Sequence, residues 1–427
     1  MYIKSLSITN LRCFKTARLA FQFPGRVQSG EDPPVARLPN VNLLLGDNGA
    51  GKSTILKGIA MALNGPILPH AGFRPYSLVR QVFEKGVTGR RPRAAQVKAD
   101  VELGAQDGLT GDVGKSRQLF VKIGRLRDTD VLNETTKPSG VWRSMFQDNS
   151  PAFLVLGYGA TRRIGDPREI SSRAKETHVR LQRVEGLFRE GYGLIPLSWW
   201  LPNHPNKGRR SQVIKLLNQL LGDQYTFGGD YENGEFIFQQ GNARVPLTAM
   251  SDGYRAFVGW VSDMLYHMCK GAPTGAKLIE NHGVVMVDEI DLHLHPEWQR
   301  TVIQTLAQAF PNIQFIFTSH SPLVTGSLEW PNIYVMRPDG PQQIAAPIHG
   351  LSADQVLLSP FFNLESTRAP EMTQRLRDLE NKAQKGSAQA AMEIMQNLAT
   401  GMEADAYDTG QTEIAKPNGN KRRLRKR

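Results

Sequence analysis

Eight residues, Gly46-Asp-Asn-Gly-Ala-Gly51-Lys52-Ser53, carry the parts of a phosphate cradle. The glycines let backbone N–H groups close around phosphate oxygens and the helix that follows presents its positive end. Lys52 adds a full charge, and the Ser53 hydroxyl can ligate magnesium. Asn48, Gly49, Gly51, Lys52, Ser53 and Thr54 are therefore candidate nucleotide contacts. A second string supplies acid: the apolar run Gly283-Val-Val-Met-Val287 ends in Asp288 and Glu289. Asp288 is placed to hold magnesium through water opposite Ser53, and Glu289 to polarise an attacking water. A third string, Ile313-Gln-Phe-Ile-Phe317, delivers Thr318-Ser-His320-Ser-Pro322 to the same sheet edge, where His320 reaches a γ-phosphate. The chemistry is hydrolysis of a nucleoside triphosphate. ATP and Mg2+ are the expected cofactors, Ser53 and Asp288 the metal contacts, and Lys52, Glu289 and His320 the catalytic set.

Such chemistry needs strands that end together and a helix that starts at the loop. Residues 41–45 are short and apolar, as a buried strand is, and 55–63 have helical spacing. Residues 2–9 alternate as a half-buried strand, and alternation at 95–103 and 119–123 predicts antiparallel strands, an added β arm. Residues 152–156 read as a further buried strand, 173–188 and 211–221 as helices, and 199–206 as a Trp/Pro/Asn-rich break between them. Composition is ordinary for a globular chain: 40% hydrophobic and 22% charged over 427 residues. Cys13 and Cys269 stand far apart without ligand-spaced neighbours, so packed thiols are expected and neither a disulfide framework nor zinc. No apolar run of about 18 residues occurs and the N-terminus lacks a charged-then-apolar signal segment, which predicts a cytoplasmic protein with no membrane partner.

The net charge of +12 owes half its value to Lys421, Arg422, Arg423, Arg425, Lys426 and Arg427, read as a disordered basic tail. Binding of DNA or RNA through this tail or through Arg90-Arg-Pro-Arg93 stays open, although neither cluster has interleaved aromatics for bases to stack on.

Leu247-Thr-Ala-Met-Ser251-Asp252-Gly253-Tyr254 leads into an apolar-periodic helix at 256–267. Ser-x-Gly at a helix start, ahead of the acidic strand, resembles the signature motif of ATP-binding-cassette ATPases. Asp252 stands where that family has glycine, and Tyr254 where it has glutamine. The order of phosphate loop, signature, acidic strand and switch histidine matches the family too. Ile8-Thr-Asn10-Leu-Arg12-Cys-Phe14 with the loop string resembles the opening of RecF/SMC-type cassettes, and the resemblance implies that Arg12 lies near the nucleotide. Asp288-Glu-Ile-Asp291-Leu-His293-Leu-His295-Pro296 is similar to compact ATPases of bacterial anti-phage systems, including the Septu and retron-associated ATPases and the OLD-family nucleases. His293 and His295, spaced i, i+2, are expected as dimer-contact residues and not as a metal site. The resemblance covers most of residues 1–325. One departure stands out: cassettes place a glutamine after the strand entering the helical lobe, whereas 153–156 here run into Gly157-Tyr158-Gly-Ala-Thr-Arg162-Arg163. Tyr158 or a neighbour is a candidate substitute.

The resemblance implies an α/β fold: an ABC-ATPase head with a mixed β-sheet core, an antiparallel β arm, a helical signature lobe and a C-terminal helical extension. The expected boundaries are 1–156, 157–275, 276–345, 346–405 and 406–427. It also implies a homodimer or higher homo-oligomer in which Ser251 and Gly253 of one subunit close the site of the other. The residues after His320 are too few for the nuclease domain of OLD-type proteins, and Glu403, Asp405 and Asp408 read as a solvated linker. A separately encoded effector, such as a nuclease, is the expected partner. A stand-alone DNA-repair ATPase and a transporter energy subunit are the alternatives, the second disfavoured by the missing glutamine.

Overall fold

The computed structural model describes residues 1–400 apart from 29–32, 71–72, 82–92, 105–106, 108–115, 128, 138–145, 147–151, 153, 167–169, 171–177 and 273–274, with side chains through residue 396. The basic stretch 90–92, the acids at 403, 405 and 408 and the tail at 421–427 lie outside the described residues.

Alternation along single strands explains the layering. In β3 (Val41–Leu45), Val41, Leu43 and Leu45 face one core and Leu44 the other. β11 (Gly283–Val287) and β12 (Ile313–Ser319) divide in the same way, Val285, Val287, Phe315 and Phe317 against Val284, Met286 and Ile316. A strand covered on both faces reads as an unbroken apolar run, which is why these three strands stand out in the sequence. They lie in a six-stranded sheet of order β14-β13-β3-β12-β11-β7, with β7 at Leu154–Tyr158, β13 at Ile333–Arg337 and β14 at Gly340–Gln342. All pairings are parallel except β13 with β14.

One face carries helix α1 (Lys52–Leu63) and the expected β arm. The arm is a five-stranded antiparallel sheet, β2-β1-β4-β5-β6, built from β1 (Tyr2–Leu11), β2 (Phe14–Ala20), β4 (Ala94–Glu102), β5 (Ser116–Leu126) and β6 (Thr129–Thr135). The hairpin turn between β1 and β2 falls at Arg12 and Cys13, so β2 starts at Phe14. Ile55, Leu56 and Ile59 of α1 share a core with Ile8, Val97 and Val121 of the arm.

Helix α2 (Val179–Glu185) packs on this same face, with Leu181 and Val184 in the core of α1, and the other face carries the rest of the signature lobe: α3 (Leu197–Trp200), α4 (Lys207–Leu221) and α5 (Asp252–Gly271). This lobe is not purely helical, contrary to expectation. Residues 226–246 form a three-stranded antiparallel meander, β8 (Thr226–Glu232), β9 (Glu235–Gln240) and β10 (Ala243–Pro246), whose Phe227, Phe236 and Phe238 pack together in the core. α6 (Pro296–Ala309), α7 (Pro322–Gly326) and α8 (Ala353–Leu358) complete this side, and Ser352 and Gln355 form a capping box on α8.

The chain divides into two compact units, Met1–Asn363 and Leu364 onward, so α8 belongs to the first and the second starts later than residue 346. Within the second, α9 (Pro370–Gln384) and α10 (Ala388–Thr400) pair, with Arg375 bound to Glu393 at 2.8 Å. On α10, Met395 is exposed and Ile394 half-buried.

Candidate nucleotide site

Register brings the chemistry together. Leu45 pairs with Ser319, Phe317 with Val287, and Val287 with Tyr158, so the loop at Gly46, the segment at His320, the acids at Asp288 and the turn after Tyr158 leave the sheet along one carboxyl edge. Ligand sites in open α/β sheets gather at that edge.

The loop is shaped by its glycines. Gly49 and Gly51 have φ of 80° and 96°, and a Cβ on Gly51 would fall 2.5 Å from the Phe14 ring and 2.6 Å from Cys13 Sγ. The β1–β2 hairpin turn therefore rests on the loop. Cys13, expected as a packed thiol, is exposed there. Arg12 occupies that turn at φ 46°, half-buried, its N–H donating to the Leu78 carbonyl at 2.8 Å. Its side chain makes no hydrogen bond among the described residues, though its charge, after burial, helps hold Lys57 of α1 below the usual lysine range.

Lys52 is buried. Its Nζ donates to the Gly46 and Asp47 carbonyls at 2.7 and 3.1 Å and lies 2.6 Å from His320 Nε2. Burial lowers its pKa, against the opposing pull of Asp288, Glu289, Asp291 and Asp47. Asn48 and Gly49 are exposed, Ser53 half-buried and Thr54 buried in α1.

The acids are held by two residues that sequence reasoning did not assign. Thr318 Oγ1 donates to Asp288 Oδ1 at 2.6 Å and accepts from the Glu289 N–H at 2.7 Å. From the other side Arg162, buried, donates Nη1 to the Asp288 carbonyl and Nη2 to the Glu289 carbonyl, both at 2.9 Å. Burial lowers the Arg162 pKa to about 10. Tyr158 is not the substitute for the missing glutamine: its hydroxyl points into the signature lobe and donates to Asp263 Oδ2 at 2.9 Å.

The signature residues start α5. Ser251 is exposed and makes no side-chain cap hydrogen bond. Gly253 has a steric role, since a Cβ there would fall 2.3 Å from the His293 carbonyl oxygen. Tyr254 packs between Tyr225 and Trp298, centroids 4.6 and 4.1 Å away, which makes it an anchor. His293 is exposed at φ 66°, and His295 caps α6 by accepting from the Glu297 N–H.

The donor set fits a hydrated magnesium ion. The Ser53 hydroxyl and the Asp288 carboxylate are the hard oxygen ligands such an ion takes, and a buried acid oxygen nearby in the chain, Asp291 Oδ1, has no hydrogen-bond partner.

Residues 41–325 match the sequence profile of a family described as "AAA domain, putative AbiEii toxin, Type IV TA system". The match runs from β3 through α7 and takes in the loop, the acids and His320. The chain belongs to this AAA-domain family. Among relatives, it is 26% identical over 375 residues to a Septu protein PtuA of Bacillus mycoides, covering 86% of this chain and 45% of that protein. It is 40% identical over 131 residues to the Retron Vc95 probable ATPase of Vibrio cholerae, 29% of this chain and 25% of that one. The chain thus spans less than half the length of these curated relatives. Among solved structures, an SMC head bound to the C-winged helix domain of ScpA is similar over 82% of this chain and 98% of that chain, at 14% identity and a TM-score of 0.45. No helix among the described residues is long and apolar enough to cross a membrane.

Proposed function

We propose that this AAA-domain chain is an ATPase that dimerises head to tail around MgATP and controls a separately encoded effector, a nuclease, in anti-phage defence. The observation that carries the catalytic part is the convergence of Lys52, Asp288, Glu289 and His320 on one sheet edge, with Lys52 Nζ 2.6 Å from His320 Nε2. Lys52 and the loop amides bind and orient the phosphates; Ser53 and Asp288 would hold magnesium, which neutralises charge on the phosphate oxygens when bound. Glu289, its backbone fixed by Thr318 and Arg162, orients the attacking water, and His320 holds the terminal phosphate. The dimer reading is supported by Ser251, exposed at the start of α5 and not engaged in capping its own helix. A helix N-terminus offered in this way can act on a γ-phosphate held by a second copy.

Defence and an effector partner are supported by the PtuA and retron ATPase relatives. Phosphate release by the purified chain tests the first half: wild type turns over, and Glu289→Gln binds ATP without turnover. Affinity capture of tagged full chain from its native host tests the second. A chain that captures no second polypeptide with ATP, with ADP or without nucleotide refutes the effector reading.

A further inference from the structure

Consecutive carbonyls of an extended strand point in opposite directions, so one side chain cannot ordinarily grip both. Glu289 sits at φ 49°, and that left-handed step turns the Asp288 and Glu289 carbonyls onto a single donor, the Arg162 guanidinium. A planar fork suits this task, and a lysine could not reproduce it. Arg162 itself is held at φ 37° in the short segment that leaves β7 for the signature lobe.

Two residues on, that segment is tied to the lobe. Ile164 bridges Leu194 in parallel, the Gly165 N–H donates to the Leu194 carbonyl at 2.8 Å, and the Leu194 N–H donates to the Arg163 carbonyl at 2.7 Å. Ile164 also packs on Gly259 of α5, where a Cβ would lie 3.0 Å from its Cγ1. Asp263, one turn further along α5, accepts from the Tyr158 hydroxyl and from the Ile195 N–H, both at 2.9 Å. At the other end of α5, Gly253 abuts the His293 carbonyl, four residues past Glu289. The path closes on itself: acids, turn 290–293, α5, segment 162–165, Arg162, acids.

We propose that Arg162 is a positioning residue that locks the catalytic acids and the signature helix of the same chain into one body, so that a change at the acids is transmitted to the helix that serves the partner's site. The inference rests on the proposed nucleotide reading and deepens it. Hydrogen exchange on the full chain, with and without MgATP, tests it in wild type, Arg162→Lys and Ile164→Ala. The second variant leaves the Arg162 grip in place and loosens only its far end, which guards against a general folding defect.

In wild type, MgATP slows exchange both at 286–293 and at 259–267, a mid-helix stretch away from the offered N-terminus. In each variant the first segment still responds and the second does not. Turnover falls about 10- to 100-fold, the range expected for misplaced catalytic groups, while the ATP dissociation constant stays within about threefold of wild type. A variant whose 259–267 segment responds as wild type does overturns the coupling and leaves the ATPase reading standing. A wild type with no response to MgATP anywhere overturns both. Loss of both responses in Arg162→Lys with a wild-type Ile164→Ala assigns Arg162 a merely structural role, and the coupling fails.

Discussion

Lys52 Nζ stands 2.6 Å from His320 Nε2, so the loop lysine that follows β3 and the histidine that follows β12 touch directly. Lys52 Nζ has three polar neighbours here, the Gly46 carbonyl, the Asp47 carbonyl and His320 Nε2, as many as an ammonium has protons. A phosphate arriving at the loop must displace one of these neighbours, and His320 is the one that does not belong to the loop. His320→Ala should therefore bind ATP within about threefold of wild type but lose roughly 100-fold in turnover, the low end for a lost contact to charge developing in the transition state. Parallel binding titrations and single-turnover rates check this split.

Thr318 answers to two groups at once. It satisfies Asp288 Oδ1 and the Glu289 N–H from a position with no solvent exposure. Thr318→Val keeps the shape but strands a buried amide and a carboxylate oxygen, at a cost of about 1–3 kcal/mol. Chemical denaturation should show that loss, and turnover should fall with it as Glu289 loses its anchor. A Thr318→Ser variant, which keeps the hydroxyl, should recover most of both.

His267 gives the signature lobe an acid sensitivity. It is buried on α5, 3.6 Å from Asp263, and burial first, then Arg183, depresses its pKa well below 6.5. The native state keeps the ring neutral while the unfolded chain takes up a proton near 6.5, so this contribution is complete above that pH and is lost as pH falls below it. The slope is about 1.4 kcal/mol per pH unit. Unfolding free energies from denaturation at pH 7.5 and 5.5 should differ by about 1.4 kcal/mol more in wild type than in His267→Gln.

Much of this site is legible because its residues act through sequence-local geometry. Gly46 to Ser53 makes its own cradle, and Asp288 and Glu289 follow a strand whose apolar run announces two covered faces. Arg162 was not legible as a site residue, since its partners are main-chain carbonyls more than a hundred residues away. Nothing in an arginine's neighbours marks such a bond. Thr318 was visible within its string, but its role depends on the register of β12 against β11. The meander at 226–246 was missed despite a usable signal. Asn233-Gly234, with φ of 51° and 86°, is a tight hairpin turn closed by the Glu232–Glu235 pair, a signal that the expectation of a helical lobe did not use. The exposed Cys13 has the same origin: its place on a hairpin turn against Gly51 is fixed by tertiary contact.

The central claim is that each nucleotide is closed between two copies of the chain, and sedimentation of Glu289→Gln with MgATP tests it most directly. Slowed turnover should hold the ATP-bound pair together, giving a dimer with ATP and none with ADP. Adding Ser251→Arg, which fills the exposed start of α5 without touching the loop or the acids, should return the protein to monomer while ATP still binds. A species that stays monomeric with ATP, or an ATP-dependent dimer indifferent to Ser251→Arg, would contradict the account.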